Sequence, residues 1–357
     1  MQTANGRLHC RRKMPEGPIS WRSPGKIRSD LMICWSDEVW VASGQSNMGM
    51  VLYPTPPWTH GVTDWQTEIA AANPPTLRYF KTFIEASETP KAEIHGMWET
   101  CTPENAANFS AVAYYFGESL NRKLRVPVGL VGSAVGATSI VSWFDQEHAA
   151  QMPSGANGLA TAAVRRKEAG PKMQAYRAAL PRYYQAARED RATPGKLTAH
   201  PEPYKGYTFQ PAGCYNAMIA PLIGLPISGI IWYQSESDNT RAAEYTRDFE
   251  SLIESWRAAW HQPDAPFLFV QIAAHDAFAP NKKLAPSKPL PAQIIDNWPK
   301  QRLAQAAALE LPRTGMAVSC DFGDHTTPRY PDKRCSTVTQ SATTARAREK
   351  SPPKKVN

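Results

Sequence analysis

The 357-residue sequence has no run of about eighteen apolar residues, so it offers no helix able to cross a bilayer. Its basic N-terminus lacks the apolar stretch of a signal peptide, and the compartment is left open. Cysteine is sparse: the six residues at 10, 34, 101, 214, 320 and 335 include no CxxC pair. That scatter provides neither a zinc-ligand set nor a disulfide framework, and buried thiols are the expectation. Residues 145–210 look like a helical insertion and not a repeat.

Basic charge is also lacking where it would count. The formal net charge is +8, but residues 1–31 carry +5 and residues 333–357 carry +6, which leaves −3 for the 301 residues between them. A mildly acidic body with basic ends is not the footprint of a nucleic-acid surface. Residues 1–35 read as a disordered or truncated basic segment, and 334–357 as a disordered basic tail. The body, 36–333, is long enough for one α/β domain with a helical insertion at about 145–210.

What that body contains is strands alternating with helices. Val39–Ala42, Leu77–Phe80, Val126–Val131, Ile227–Tyr233, Pro266–Ile272 and Gly315–Cys320 are short apolar runs. Between them, Phe109–Leu124 places Val112, Phe116, Leu120 and Leu124 on one stripe, and Arg241–Trp260 repeats large apolar residues every three or four positions. A further helix is expected around Gln301–Glu310. The alternation predicts a mainly parallel sheet covered on both faces.

Four of the strands end in polar or small-residue turns. The first reads Gly44-Gln45-Ser46-Asn47-Met48 and the second Ser133-Ala-Val-Gly136-Ala-Thr138. The third is Gln234-Ser235-Glu236-Ser237-Asp238 after Trp232-Tyr233, and the fourth Asp321-Phe-Gly-Asp324-His325. Strand carboxyl ends are where open α/β sheets keep their sites. Each turn alone has a plain reading, Gly136 as a tight turn, Ser46 and Asn47 as caps and the aromatics as core. A Pro- and Trp-rich loop at 53–60 stands beside the first turn as a pocket wall.

In this order the four turns resemble the sialate O-acetylesterase family of SGNH/GDSL-type serine hydrolases, over roughly residues 36–333. Trp98–Pro103, Phe109–Phe116, Val126–Leu130, Tyr215–Pro221 and Phe267–Gln271 add to the resemblance. It implies an α/β, three-layer flavodoxin-like sandwich, and hydrolysis of O-acetyl esters on carbohydrates, O-acetylated sialic acids among them, without metal or cofactor. The implied partner is a small-molecule or glycan ester, with neither nucleic acid nor membrane, and the oligomeric state is left open. Ser46 takes the place of the nucleophile. A serine hydroxyl needs a histidine to take its proton and a carboxylate to orient that histidine. His325 is the candidate base, with Asp321 or Asp324 as orienter. The oxyanion donors would be the Ser46 and Gly136 amides and the Gln234 side chain, and Gln45, Asn47 and Glu236 would meet the substrate.

Three departures from the family pattern bear on activity. Ser235 stands where the family has glycine, which threatens to crowd the pocket, and Asp238 where many members have asparagine. Counting back from Lys333, the family's catalytic histidine falls on Arg329 or Tyr330, neither of which is a base at neutral pH. His325 lies four or five residues early. A catalytically impaired relative that retains at most sugar binding is therefore the second expectation. An SGNH-type lipase or thioesterase is the third, and it would need an acyl-chain groove.

Overall fold

The computed structural model describes residues 18–22, 38–55, 61–190, 193, 194, 196, 210–273 and 292–319. Eight strands form one sheet: β1 Pro18–Arg22, β2 Glu38–Gly44, β3 Leu77–Thr82, β4 Glu93–Thr100, β5 Val128–Ala134, β6 Gly229–Tyr233, β7 Phe267–Val270 and β8 Thr314–Ala317. Their order across the sheet is β1-β4-β3-β5-β2-β6-β7-β8. From β3 to β8 in that order every pairing is parallel, while β4 runs antiparallel to β3 and to β1.

The expected sandwich follows from how the strands divide their side chains. On β2, Val39 and Val41 enter one core and Trp40 and Ala42 the other. Likewise Ile230 and Trp232 of β6 face opposite to Ile231 and Tyr233. A strand buried on both faces reads as a continuous apolar run, which is why these segments are legible in the sequence. The helix Ala111–Leu124 covers one face with Val112, Phe116 and Leu120, capped by the Ser110 hydroxyl. The helix Ala242–Ala259 covers the other with Tyr245, Phe249, Leu252, Ile253 and Trp256. The chain thus winds to either side of β2, which makes its carboxyl end the switch point of the sheet.

Two strands lie outside the expected set. Residues 18–22, within the segment expected to lack structure, pair with β4 as an edge strand. Pro18 is tolerated there because it stands at the first position of an edge strand, where its missing N–H costs little. Strand β4 alternates half-buried and buried residues, so it shows no apolar run. The last helix is longer than expected, spanning Ala292–Ala307 and closing in a 3-10 turn at Ala308–Glu310.

A helix of 38 residues, Pro153–Asp190, docks on the β3–β4 end of the sheet through Tyr176, Leu180, Tyr183 and Tyr184, packed with Phe83, Ala86 and Met97. Beside this patch the buried Glu85 carboxylate receives Lys91, the His95 Nδ1 at 3.2 Å and the Tyr184 hydroxyl at 2.5 Å. Both oxygens of the carboxylate are therefore occupied. Burial lowers the Lys91 pKa to about 8 and lowers that of His95.

Candidate active site

Strands β5, β2 and β6 are neighbours and point the same way, so their three turns meet at one edge. Strand β2 extends to Gly44, two residues beyond the apolar run. A Cβ on Gly44 would stand 2.1 Å from the Tyr233 carbonyl oxygen, and its φ of 137° excludes side chains independently. The next amide, Gln45, donates to that same carbonyl at 2.9 Å. The chain then turns into a single helical turn, Ser46–Gly49, with half-buried Ser46 at its head and Asn47 and Met48 buried.

Gly136 lies directly across from Ser46. A Cβ built on it would approach the Ser46 Cβ to 3.6 Å, an ordinary contact, so glycine here leaves open the space facing the serine. The turn is fixed on both sides: Val135 donates to the Gly44 carbonyl at 3.0 Å, and Ala137 holds a left-handed φ of 61°. Thr138 spans the far side, donating to the Val135 carbonyl at 2.8 Å and accepting from the Trp143 indole at 2.9 Å.

The β6 turn binds the other two. Asp238, with no exposed surface, accepts from the Ser139 hydroxyl at 2.6 Å, the Ile140 amide at 2.8 Å and Arg241. The Gln45 Oε1 accepts from the Ser235 and Ser237 amides, each at 3.4 Å. The Asn47 amide meets the Glu236 Oε1 at 2.5 Å. Beyond that contact, the Asn47 Oδ1 and Glu236 Oε2 are buried and have no hydrogen-bond partner among the described residues. Burial raises the Glu236 pKa to about 7, against the pull of the Asn47 hydrogen bond.

The turns thus bring Ser46, Gly136, Asn47 and Glu236 together, but Gln234 plays a different part from the one expected. Its amide donates to the Thr138 carbonyl at 3.1 Å and to Asp238 Oδ2 at 2.6 Å, and its Oε1 accepts from the Tyr245 hydroxyl at 2.9 Å. With both protons committed and the side chain fully buried, it holds turns together and has no donor left for an oxyanion. Gln45 is similarly occupied as a clasp through its carbonyl oxygen. Ser235 does not project into open space: its hydroxyl is buried and accepts from Gln301 at 2.6 Å. Trp232 is core, packed edge-on against Trp143 and Trp256.

Sequence reasoning missed Gln301 and Gln305, two fully buried amides one helical turn apart. Gln305 donates to the Gln234 and Val270 carbonyls, both at 3.2 Å, and accepts from the Ile272 amide at 2.7 Å. An i, i+4 glutamine pair in an alanine-rich helix was the available signal. Asp321, Asp324, His325, Arg329 and Tyr330 lie outside the described residues, as do 56–60 of the Pro/Trp-rich loop and the tail. The last described residue before the fourth turn, Ser319, donates to the Gln271 carbonyl at 2.8 Å and stands 3.5 Å from the Tyr233 hydroxyl. Among the described residues no group of three or more His, Cys, Asp or Glu side chains is placed to hold a metal ion.

The doubly wound sheet is similar in fold to that of a solved carbohydrate acetylesterase. A solved carbohydrate acetylesterase from Xanthomonas citri superposes with a TM-score of 0.61 at 28% identity, covering 86% of this chain and 56% of that one. Residues 209–315 match the family model described as carbohydrate esterase, sialic acid-specific acetylesterase. The sialate O-acetylesterase of Rattus norvegicus is 27% identical over 318 residues, and that of Homo sapiens 25% over 310. Each alignment covers 82% of this chain, and 52% and 49% of the relative, so the chain spans about half the length of the curated relatives it matches. The chain is thus similar to sialic acid-specific acetylesterases among the carbohydrate esterases.

Proposed function

We propose that the protein hydrolyses O-acetyl esters on carbohydrates, O-acetylated sialic acids among them, with Ser46 as nucleophile. The observation that carries this is the placement of half-buried Ser46 against Gly136, with its two flanking residues anchored to the β6 turn. The Ser46 hydroxyl attacks the acetyl carbonyl carbon and its proton passes to His325. The carbonyl oxygen becomes an oxyanion held by the Ser46 and Gly136 amides. Collapse expels the sugar alcohol, which takes the proton from His325 and leaves an acetyl-serine. Water, deprotonated by the same histidine, releases acetate and restores the serine.

Asp321 and Asp324 are the candidate orienters of His325. Ser319, beside Tyr233, supports this reading: six residues of chain reach at most about 20 Å, and neighbouring strands are only about 4.8 Å apart. The alternative of an impaired relative rests on Arg329 and Tyr330 at the family's histidine position. A lipase or thioesterase is the third reading, and it would need an acyl-chain groove.

Acetate release from O-acetylated sialic acid by the purified chain, with Ser46→Ala alongside, tests the proposal. Turnover that disappears in Ser46→Ala supports it. Equal activity in the variant refutes the role of Ser46, and an inert wild type made active by Arg329→His or Tyr330→His supports the impaired reading.

A further inference from the structure

One guanidinium on the edge of the sheet that carries Ser46 is left without an anion. Arg188, in the last turn of the helix Pro153–Asp190, is half-buried, and its Nε is shielded from water with no hydrogen-bond partner among the described residues. Its guanidinium carbon lies 5.9 Å from the centroid of the Phe83 ring, an attraction that leaves the N–H edge of the group free. Nearby carboxylates are committed elsewhere. Glu85 receives Lys91, His95 and Tyr184, Glu189 accepts from Gln185 at 2.9 Å, and Asp190 holds Lys196 at 2.6 Å. Burial lowers the pKa of His95, and the charges of Lys91 and Arg188 add to the effect against the pull of Glu93.

The sheet register sets this cation beside the nucleophile turn. Lys81 of β3 and Ala42 of β2 both pair with Gly132 of β5, so the two strands end nearly level. Phe83, under Arg188, comes one residue after the end of β3, and Ser46 two residues after the end of β2. Two strand spacings, roughly 10 Å, separate these chain ends along one edge.

We infer that Arg188 binds a carboxylate of the substrate, so that the chain selects acetylated sugar acids over neutral acetylated sugars. This rests on the proposed esterase reading. A carboxylate suits the position because a planar guanidinium presents paired N–H donors that match its two oxygens. In an O-acetylated sialic acid the acid group and the acetyl ester share one sugar framework, which lets one molecule reach both Arg188 and Ser46. A neutral sugar leaves the guanidinium unpaired.

The test measures acetate release from a mono-O-acetylated N-acetylneuraminic acid and from its methyl ester, in which the carboxylate is capped. The wild type is expected to favour the free acid at least about tenfold in kcat/KM, mainly through KM, and Arg188→Met to lose most of that preference. An acid-to-ester ratio unchanged by Arg188→Met overturns the inference. If that variant does not fold, the same comparison in Arg188→Gln decides by the same criterion.

Binding separates this inference from the esterase reading. Free N-acetylneuraminic acid is titrated into Ser46→Ala and into Ser46→Ala/Arg188→Met, with binding at least about tenfold weaker expected in the second. If the wild type hydrolyses nothing while this difference persists, the esterase reading fails and the role of Arg188 stands. Hydrolysis of both substrates with no change of ratio and no difference in binding is the reverse outcome.

Discussion

The Asp238 carboxylate on the β6 turn accepts from the Ile140 amide at 2.8 Å on the β5 turn, 98 residues away in the chain. With the Ser139 hydroxyl, Gln234 and Arg241 also on it, this one buried carboxylate determines how the Gly136 turn sits relative to Ser46. Asp238→Ala leaves several donors unmet and a guanidinium without its partner. A stability loss of about 3–5 kcal/mol by urea unfolding is expected, with a larger fractional loss of kcat than of substrate affinity.

Two glycines separate strain from access. Gly136→Ala meets only ordinary contact with Ser46, so stability should change by less than about 1 kcal/mol while kcat/KM falls roughly ten- to hundredfold. Gly44→Ala drives a Cβ into the Tyr233 carbonyl at 2.1 Å. Loss of about 4 kcal/mol or more, or failure to fold, is expected by thermal unfolding.

The pH dependence of stability should bear the mark of Glu236. Its pKa of about 7 in the folded chain exceeds the ordinary value of 4.5, so between these values the folded state binds more protons than the unfolded one. The stability contributed by Glu236 is therefore full below about pH 4.5 and is lost as the pH rises through 7. Glu236→Gln should flatten the wild-type fall across this window when unfolding free energies are measured at several pH values.

Ser235 and Gln301 should behave as a coupled pair. Ser235→Gly removes the acceptor of a buried amide donor and should destabilise by about 1–3 kcal/mol, even though it restores the family's glycine. In a double-mutant cycle with Gln301→Leu the two losses should fail to add, by about 0.5–3 kcal/mol. Strict additivity would show that the hydrogen bond contributes nothing.

Glu85 should control the docking of the long helix. Glu85→Ala leaves Lys91, His95 and the Tyr184 hydroxyl without their shared acceptor. About 3–5 kcal/mol of destabilisation is expected, together with faster proteolytic cleavage within Pro153–Asp190 than within Ala242–Ala259.

The centre of the sheet was legible because parallel strands buried on both faces must be apolar throughout, as Val39–Ala42 and Ile227–Tyr233 are. Strand β4 was not, since a half-exposed strand containing Glu93, His95 and Gly96 resembles a loop in composition. The residues that carry the candidate chemistry, Ser46 and Gly136, stood out as small residues after apolar runs. Their support did not: Gln45 reaches Ser235 and Ser237 across about 190 positions, and Gln305 reaches Gln234 from another helix. Such bonds follow no period along the chain. For the same reason Gln234 read as an oxyanion donor, because only its neighbours reveal that both amide protons are committed.

The Gln45 clasp ties the inheritance of the nucleophile turn to that of a segment encoded far downstream. A substitution between 235 and 237 that moves either bonded amide shifts the residue immediately before Ser46. Drift in the two segments is thereby constrained to be joint, and exchanging the 234–241 turn with that of a homologue should succeed only when position 45 travels with it.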